Sequence, residues 1–295
     1  MRALERLEPF TTRRRQALNK INIALLAAVM LTLQMITSVL AILTLYHSPL
    51  VALTSPRCPK RHPNHSGNGS IAALILARGG SKSIPLKNLA KIGTKSLLVR
   101  TLEVLESFGE FDSIWVSTDD NRIGDAVQVA FPGDRIQLHF RSGEFARDQS
   151  TSIESTQEFL SKHPEIANVA LVQCTSPFLR SQYLAEACRK FHRSVDCVFS
   201  AVRSFQLRWR MQPADEKMVP LNFDPRSRPR RQDWDGELVE AGMFYFARRS
   251  LILMEGIFQN EHCRVVEVNP KDALEIDDID DLNLARIITE QTEDK

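Results

Sequence analysis

From Ile71 onward the chain alternates short, almost wholly apolar runs with longer segments whose apolar residues recur every three or four positions. That rhythm leaves few folds open. Ile71–Ala77 (IAALILA) has no polar face, so as a strand it must be covered on both sides, the condition met inside a mainly parallel sheet. Ser113–Ser117, Ile136–Phe140, Val169–Gln173 and Cys197–Val202 read as further strands. Between them, Leu97–Leu105, Asn121–Ala130, Thr151–Lys162 and Gln182–Arg193 read as helices. This alternation predicts an α/β fold with helices on both faces of the sheet. Ligands of such sheets lie at the carboxyl ends of the strands, near a reversal of strand order. Residues 204–237, rich in Arg, Pro, Asp and Trp, break the alternation and read as an inserted lobe or a dimerisation arm. Regular elements resume at Leu238–Ala247, Ser250–Glu255 and Arg264–Val268, and a last helix is expected over Leu282–Glu290.

The N-terminal region follows other rules. Ile21 to Tyr46 contains no Asp, Glu, Lys or Arg. About 20 apolar residues, rising about 1.5 Å each as a helix, cross the hydrocarbon core of a bilayer. The run therefore predicts one transmembrane helix, and it exceeds the roughly 7–15 apolar residues of a cleaved signal peptide. Arg13, Arg14, Arg15 and Lys20 stand just before it, whereas Arg57, Lys60 and Arg61 lie further beyond. The nearer cluster keeps the N-terminus cytosolic and sends the bulk of the chain into the lumen. The expected organisation is a cytosolic tail (1–20), a signal anchor (21–46), a lumenal stem (47–69) and a lumenal domain (70–295), single-pass type II in the Golgi or endoplasmic-reticulum membrane. The Pro-rich stem carries the sequons Asn64-His65-Ser66 and Asn68-Gly69-Ser70, expected glycosylation sites at Asn64 and Asn68. A net charge of +2 argues against a chain-wide nucleic-acid footprint. None of the five cysteines forms a CxxC pair, so nothing supports a zinc ribbon or redox motif. A lumenal location permits a disulfide without choosing the pair, and Cys58 in the stem is placed to link two chains.

Chemistry concentrates in a few stretches. Leu76–Asn88 (LARGGSKSIPLKN) follows a buried strand directly. Its paired glycines let backbone N–H groups approach an anion, and Arg78, Lys82 and Lys87 can face the charge of a triphosphate. It lacks the spacing of a Walker A loop, and by itself it reads equally well as a solvated basic turn. Asp148-Gln149-Ser150-Thr151 reads on its own as a helix cap. Asp119 and Asp120 end a strand or begin a helix, and neither is assigned to a site. Tyr245 taken alone is a core aromatic, and Gln173 an ordinary polar residue ending a strand.

The stretch LARGGSK-IPLKN resembles the signature of CMP-sialic acid synthetases (N-acylneuraminate cytidylyltransferases). CMP-3-deoxy-manno-octulosonate synthetases have a looser form of it. The resemblance continues through Trp115–Asp119, Arg141, Asp148–Ser152, Gln173–Pro177, Arg228–Glu237 and Phe244–Phe246 to Glu275–Asp277, covering essentially all of residues 71–290. It implies a Rossmann-like nucleotidyltransferase fold that transfers CMP from CTP to the anomeric hydroxyl of a sialic acid and releases pyrophosphate. Catalytic cations would be Lys87, Arg78 and Lys82, with Lys87 balancing charge on the reacting phosphate. Ser81 and Asn88 would join them around the triphosphate, while Arg141, Ser150 and Ser152 would read the cytosine end. Gln173, Arg230 and Tyr245 would contact the sugar, and the planar fork of Arg230 suits its carboxylate. A nuclear-import reading of Arg228–Arg231 conflicts with a lumenal domain and ranks second. Glu275 and Asp277 share a face of an extended segment and suit a divalent metal, Mg²⁺ or else Mn²⁺, whereas Asp280 and Asp281 fit the cap of the last helix. A homodimer is implied, with residues near 204–237 reaching between subunits. No phosphatase-like second domain of the kind some longer members carry is expected after residue 295.

Three positions depart from the family pattern. Ser83 stands at a usual glycine, Glu275 at a usual aspartate, and Ala241 at an asparagine that contacts the sugar. These departures keep two further readings in play: a cytidylyltransferase for a related keto-acid sugar, and a catalytically impaired sugar-nucleotide-binding homologue.

Overall fold

In the computed structural model, residues 70–293 are described, together with Met30, Gln34 and Met35. The chain divides into two units, Met1–Thr54 and Ser55–Lys295. In the first, Met30, Gln34 and Met35 are helical and both methionines are exposed. Apart from these three residues, the expected anchor and the stem, with Asn64, Asn68 and Cys58, lie outside the described residues. Among the described residues no helix is long and apolar enough to cross a membrane.

In the second unit, strand β1 (Ile71–Leu76) is buried on both faces, as its composition requires. Ile71, Ala73 and Ile75 pack with Leu98, Leu102 and Leu105 of helix α1 (Leu97–Phe108) and with Leu184 of α4 (Ser181–Lys190). Ala72 and Leu74 point the other way, into a second core with Phe159 and Leu160 of α3 (Ser152–Lys162) and with Leu251 and Ile252. The two-residue period of a strand thus feeds two cores from one apolar run.

The other strands are β2 (Lys91–Ile92), β3 (Lys95–Ser96), β4 (Ser113–Thr118), β5 (Ile136–Phe140), β6 (Asn168–Val172), β7 (Cys197–Ser204), β8 (Trp209–Met211), β9 (Met218–Pro220), β10 (Glu237–Arg248) and β11 (Arg264–Glu267). The main sheet runs β11-β7-β10-β6-β1-β4-β5. Neighbours are parallel except where β10 lies antiparallel between β6 and β7. The chain builds outward from β1 through β4 to β5, then returns to the far side of β1 as β6, which makes a switch point at the carboxyl end of β1.

Helix ends follow local chemistry. Ser96 caps α1, and Gly109 ends it in the left-handed region at φ 68. Asp120 caps α2 (Asn121–Ala130). Thr151 caps α3 through a reciprocal capping box with Glu154, so the cap expected over Asp148–Thr151 is Thr151. The last helix, α5 (Ile279–Glu293), starts earlier than its apolar spacing suggests. The Asp278 carboxylate accepts from the Asp280 and Asp281 backbone N–H groups at 2.9 and 3.1 Å, which nucleates the first turn. Helix α4 stops at Lys190 rather than Arg193, because Phe191 turns into the core and is 1% exposed. Leu251–Glu255 forms a π-helical turn.

Residues 204–237 hold the antiparallel hairpin β8–β9 and a group of aromatic and arginine contacts, among them Arg231 over Phe205 and Phe205 against Trp234. Cys197 and Cys263 form a disulfide, with Cα atoms 4.5 Å apart. Cys174 is free and buried, and burial pushes its thiol up to about 12.

Strand β10 carries a bulge between Glu240 and Tyr245. Gly242 takes φ +65 there, a conformation that favours glycine. Ser200 Oγ accepts from the backbone N–H groups of Met243 and Phe244 at 3.1 and 3.3 Å. The hydroxyl replaces ladder bonds that the bulge removes.

Candidate functional site

The loop after β1 is shaped by three anchors. Asn88, 8% exposed, donates from Nδ2 to the Arg78 carbonyl at 3.0 Å and accepts from the Cys174 thiol at 3.1 Å. Leu86 sits in the left-handed region at φ 51, costly for a side chain with a Cβ and of the kind found at functional sites. The short 3₁₀ turn Lys87–Leu89 follows it. Lys87 Nζ then reaches the carbonyl of Ile276 at 3.0 Å and lies 3.9 Å from the Asp277 carboxylate. Ser83 Oγ donates to the Asp277 carbonyl at 2.6 Å. The basic loop and the acidic segment, nearly two hundred residues apart in sequence, are thereby held together.

The two glycines differ in their surroundings. The N–H of Gly79 donates to Asp119 Oδ1 at 3.0 Å, and a β-carbon there would lie 2.2 Å from Asp120 Oδ2 and 2.7 Å from Asp120 Cβ. A β-carbon on Gly80 would meet nothing within 4 Å. Asp119 and Asp120 therefore support the loop, a role their position at a strand end did not disclose.

A cavity of about 540 Å³ opens at the carboxyl ends of β1, β4 and β5. Arg78, Ser81, Lys82, Ser83, Lys87 and Asn88 line it from the β1 loop; Arg141, Phe145, Ser150, Ser152 and Ser155 line it from the segment after β5 and the start of α3, and Thr175 joins from the β6 loop. Eight of the residues expected around a nucleotide thus share one cavity: Arg78, Ser81, Lys82, Lys87, Asn88, Arg141, Ser150 and Ser152. Arg78 Nη1 and Lys82 Nζ both pair with Asp148, at 3.0 and 2.7 Å. The Lys82 ammonium, with Arg78 beside it, holds the Asp148 carboxyl below its ordinary range. Any anion entering here competes with Asp148 for those two cations. Arg141 is 6% exposed; its Nη1 donates to the carbonyl and hydroxyl of Ser117 at 2.8 and 3.1 Å. Burial lowers its pKa, an effect the charge of Asp119 opposes. Ser150 Oγ donates to the Glu144 carbonyl at 2.7 Å and so shapes the turn before α3.

A second polar group, which includes Gln173 and Tyr245, is not among the residues that line this cavity. The Tyr245 hydroxyl donates to the Glu240 carboxylate, which also accepts from Gln259 Nε2 at 3.0 Å. Burial first, and then the Glu240 carboxylate, raises the pKa of Tyr245, while a hydrogen bond with Gln173 works against them. Glu275 lies 3.4 Å from the Thr175 hydroxyl, and its Oε2 sits 2.6 Å from where a β-carbon on Gly242 would be. The bulge glycine makes that space. Ala241, 6% exposed, stands beside it with no polar side-chain atom to offer. Arg230 is not brought to the cavity: it is exposed on the inserted segment and forms a two-pronged pair with Asp233 at 2.8 and 2.9 Å.

Among the described residues no group of three or more His, Cys, Asp and Glu side chains converges as a metal cage. Glu275 and Asp277 nevertheless offer a hard, two-carboxylate donor set on one side of the basic loop. Magnesium commonly takes one or two carboxylates and completes its shell with water and phosphate oxygens. Burial, and then the charge of Asp277, raises the pKa of Glu275, a cost that a cation would relieve. The residues present fit such an ion. Asp278 and Asp281 are committed to backbone N–H groups at the start of α5, in keeping with a helix-cap role.

A cytidylyltransferase family model matches residues 72–292. The chain is 39% identical over 231 residues to N-acylneuraminate cytidylyltransferase A of Danio rerio, covering 77% of this chain and 51% of that protein. It is 41% identical over 214 residues to the N-acylneuraminate cytidylyltransferase of Oncorhynchus mykiss, covering 71% and 48%. It therefore spans about half the length of these curated relatives. The solved structure of a CMP:2-keto-3-deoxy-manno-octonic acid synthetase complexed with CTP superposes with a TM-score of 0.57 at 17% identity, over 76% of this chain and 100% of that one, which shows a shared fold. A match over nearly the whole of the α/β unit, on a sheet whose switch point carries the basic loop and its cavity, means that the chain belongs to the cytidylyltransferase family.

Proposed function

We propose that this protein transfers CMP from CTP to the anomeric hydroxyl of N-acetylneuraminate. The hydroxyl oxygen bonds to the α-phosphorus, the bond to the bridging oxygen breaks, pyrophosphate leaves and the hydroxyl proton is lost. The observation that carries this reading is one cavity lined by Arg78, Lys82 and Lys87 together with Arg141, Ser150 and Ser152. The three cations balance triphosphate charge and the Ser81 hydroxyl donates to a phosphate oxygen, fixed donors that need no reorganisation during reaction. Arg141 and the two serines face the cytosine. Gln173 and Tyr245 face the sugar. Glu275 and Asp277 would hold a divalent cation, Mg²⁺ or Mn²⁺, which when bound would stabilise charge on phosphate oxygens.

The expected result is pyrophosphate release that requires both CTP and N-acetylneuraminate. The apolar Ala241 favours a second reading, transfer to a related keto-acid sugar. Turnover with such a sugar and none with N-acetylneuraminate would select it. CTP binding with no turnover on any keto-acid sugar would instead leave an impaired sugar-nucleotide binder.

The exposed apolar side chains Trp209, Met211, Met218 and Leu221 of the inserted segment, with Leu238 and Val239 beside it, support a homodimer through residues 204–237. Arg230 then meets the partner's sugar. The Cys197–Cys263 disulfide supports an oxidising lumen. With the uncharged run 21–46, it fits a type II anchor in the Golgi or endoplasmic-reticulum membrane, and glycans at Asn64 and Asn68. Alkaline extraction is expected to leave the chain in the membrane pellet, and N-glycosidase to increase its mobility. Release into the supernatant would overturn the anchor.

A further inference from the structure

Behind Arg141 runs a buried chain of polar groups that the transfer reaction itself does not use. Ser117 on β4 and His139 on β5 are register partners in the parallel pair, 0% and 6% exposed. Ser117 Oγ lies 3.1 Å from Arg141 Nη1 and 3.0 Å from His139 Nδ1. On the other side of the ring, His139 Nε2 faces Glu158 Oε2 at 3.4 Å, and Glu158, on α3, pairs with Lys162 one turn further along.

The donor inventory permits one consistent pattern. Arg141 only donates, so Ser117 Oγ accepts from it. The single proton of that hydroxyl then has His139 Nδ1 as its acceptor, which leaves the remaining imidazole proton on Nε2, 3.4 Å from Glu158 Oε2 but not in hydrogen-bonding geometry with it. A charged imidazolium would present a proton at Nδ1 and leave the Ser117 hydroxyl without an acceptor. Burial lowers the pKa of His139 and so favours the neutral ring, against the pull of Glu158. Arg141 Nε is buried with no protein acceptor in hydrogen-bonding range, so the orientation of this guanidinium rests on its Nη1 contacts and backbone.

We infer that His139 is a positioning residue for nucleotide binding: through Ser117 it fixes the guanidinium of Arg141 at the cytosine end of the cavity. This rests on the cytidylyltransferase reading above. The contact is made to bound nucleotide before and during reaction alike, so its loss acts on binding rather than on the chemical step.

The test uses the full-length chain, with CTP as the varied substrate. Ser117→Ala and His139→Phe are each expected to raise KM for CTP about tenfold, as for loss of a hydrogen bond to a charged group, with kcat within about twofold. His139→Asn, whose side-chain oxygen falls near the position of Nδ1, is expected to recover most of the affinity. Ser117→Ala removes one buried atom and keeps the test valid if His139→Phe fails to fold. Unchanged KM in Ser117→Ala, or a KM equally raised in His139→Asn and His139→Phe, would overturn the inference while wild-type turnover left the transferase reading standing. A wild-type chain that neither binds CTP nor releases pyrophosphate would sink both.

Discussion

Lys87→Ala is expected to lower pyrophosphate release by about 10²–10³-fold while CTP still binds, the usual scale for loss of one preorganised charge-stabilising donor. Lys87 leaves the strained Leu86 turn and ends against the Ile276 carbonyl, its side chain 18% exposed. That position holds an ammonium beside both the basic loop and the Glu275–Asp277 segment. A group acting on charge that develops during transfer should depress kcat and kcat/KM together, leaving KM nearly unchanged. Steady-state kinetics with N-acetylneuraminate, beside a direct CTP-binding titration, check this. Because Lys87 also ties two loops together, thermal denaturation of the variant belongs in the same experiment. A rate within a few-fold of wild type, from a variant of normal stability, would remove Lys87 from the mechanism.

The second large effect is expected at Gly79. An added methyl group would meet the side chain of Asp120 at its β-carbon as well as at its carboxylate. Asp120 cannot swing aside freely, because it caps α2 through the Arg122 N–H at 2.9 Å and pairs with the Arg122 guanidinium. The β1 loop must therefore shift, carrying Arg78 with it. Gly79→Ala should cost about 1–3 kcal/mol of stability, as overpacking does. It should also raise the dissociation constant of CTP by at least about tenfold, since misplacement of a positioning group by about 1 Å is felt strongly. Gly80→Ala is the matched control: its methyl group meets no protein atom within 4 Å, and stability should stay within about 0.5 kcal/mol of wild type. Equal melting temperatures and equal CTP affinities for Gly79→Ala and wild type would show that the loop yields without consequence.

Much of this protein was legible in one dimension. Apolar runs such as Ile71–Ala77 can only be strands covered twice, because no face of them tolerates water. Thr151 with Glu154 three residues later writes a helix start in local chemistry alone. The basic loop was legible only through its resemblance to a family signature, since glycine and lysine at a strand end read equally well as a solvated turn, and its cations do line the cavity. Partners drawn from distant strands were not legible. That Asp120 crowds Gly79, that Asp148 pairs with both Arg78 and Lys82, and that Cys263 rather than another cysteine meets Cys197 all depend on strand order. The bulge that turns Gly242 toward Glu275, and the register that sets Ser117 beside His139, are likewise properties of pairing. Local pattern determined which segments are strands and helices, because burial and hydrogen bonding constrain each segment on its own. Only the tertiary structure decided which of their ends meet, because contacts between residues tens to hundreds of positions apart are set by how the strands are ordered and registered across the sheet.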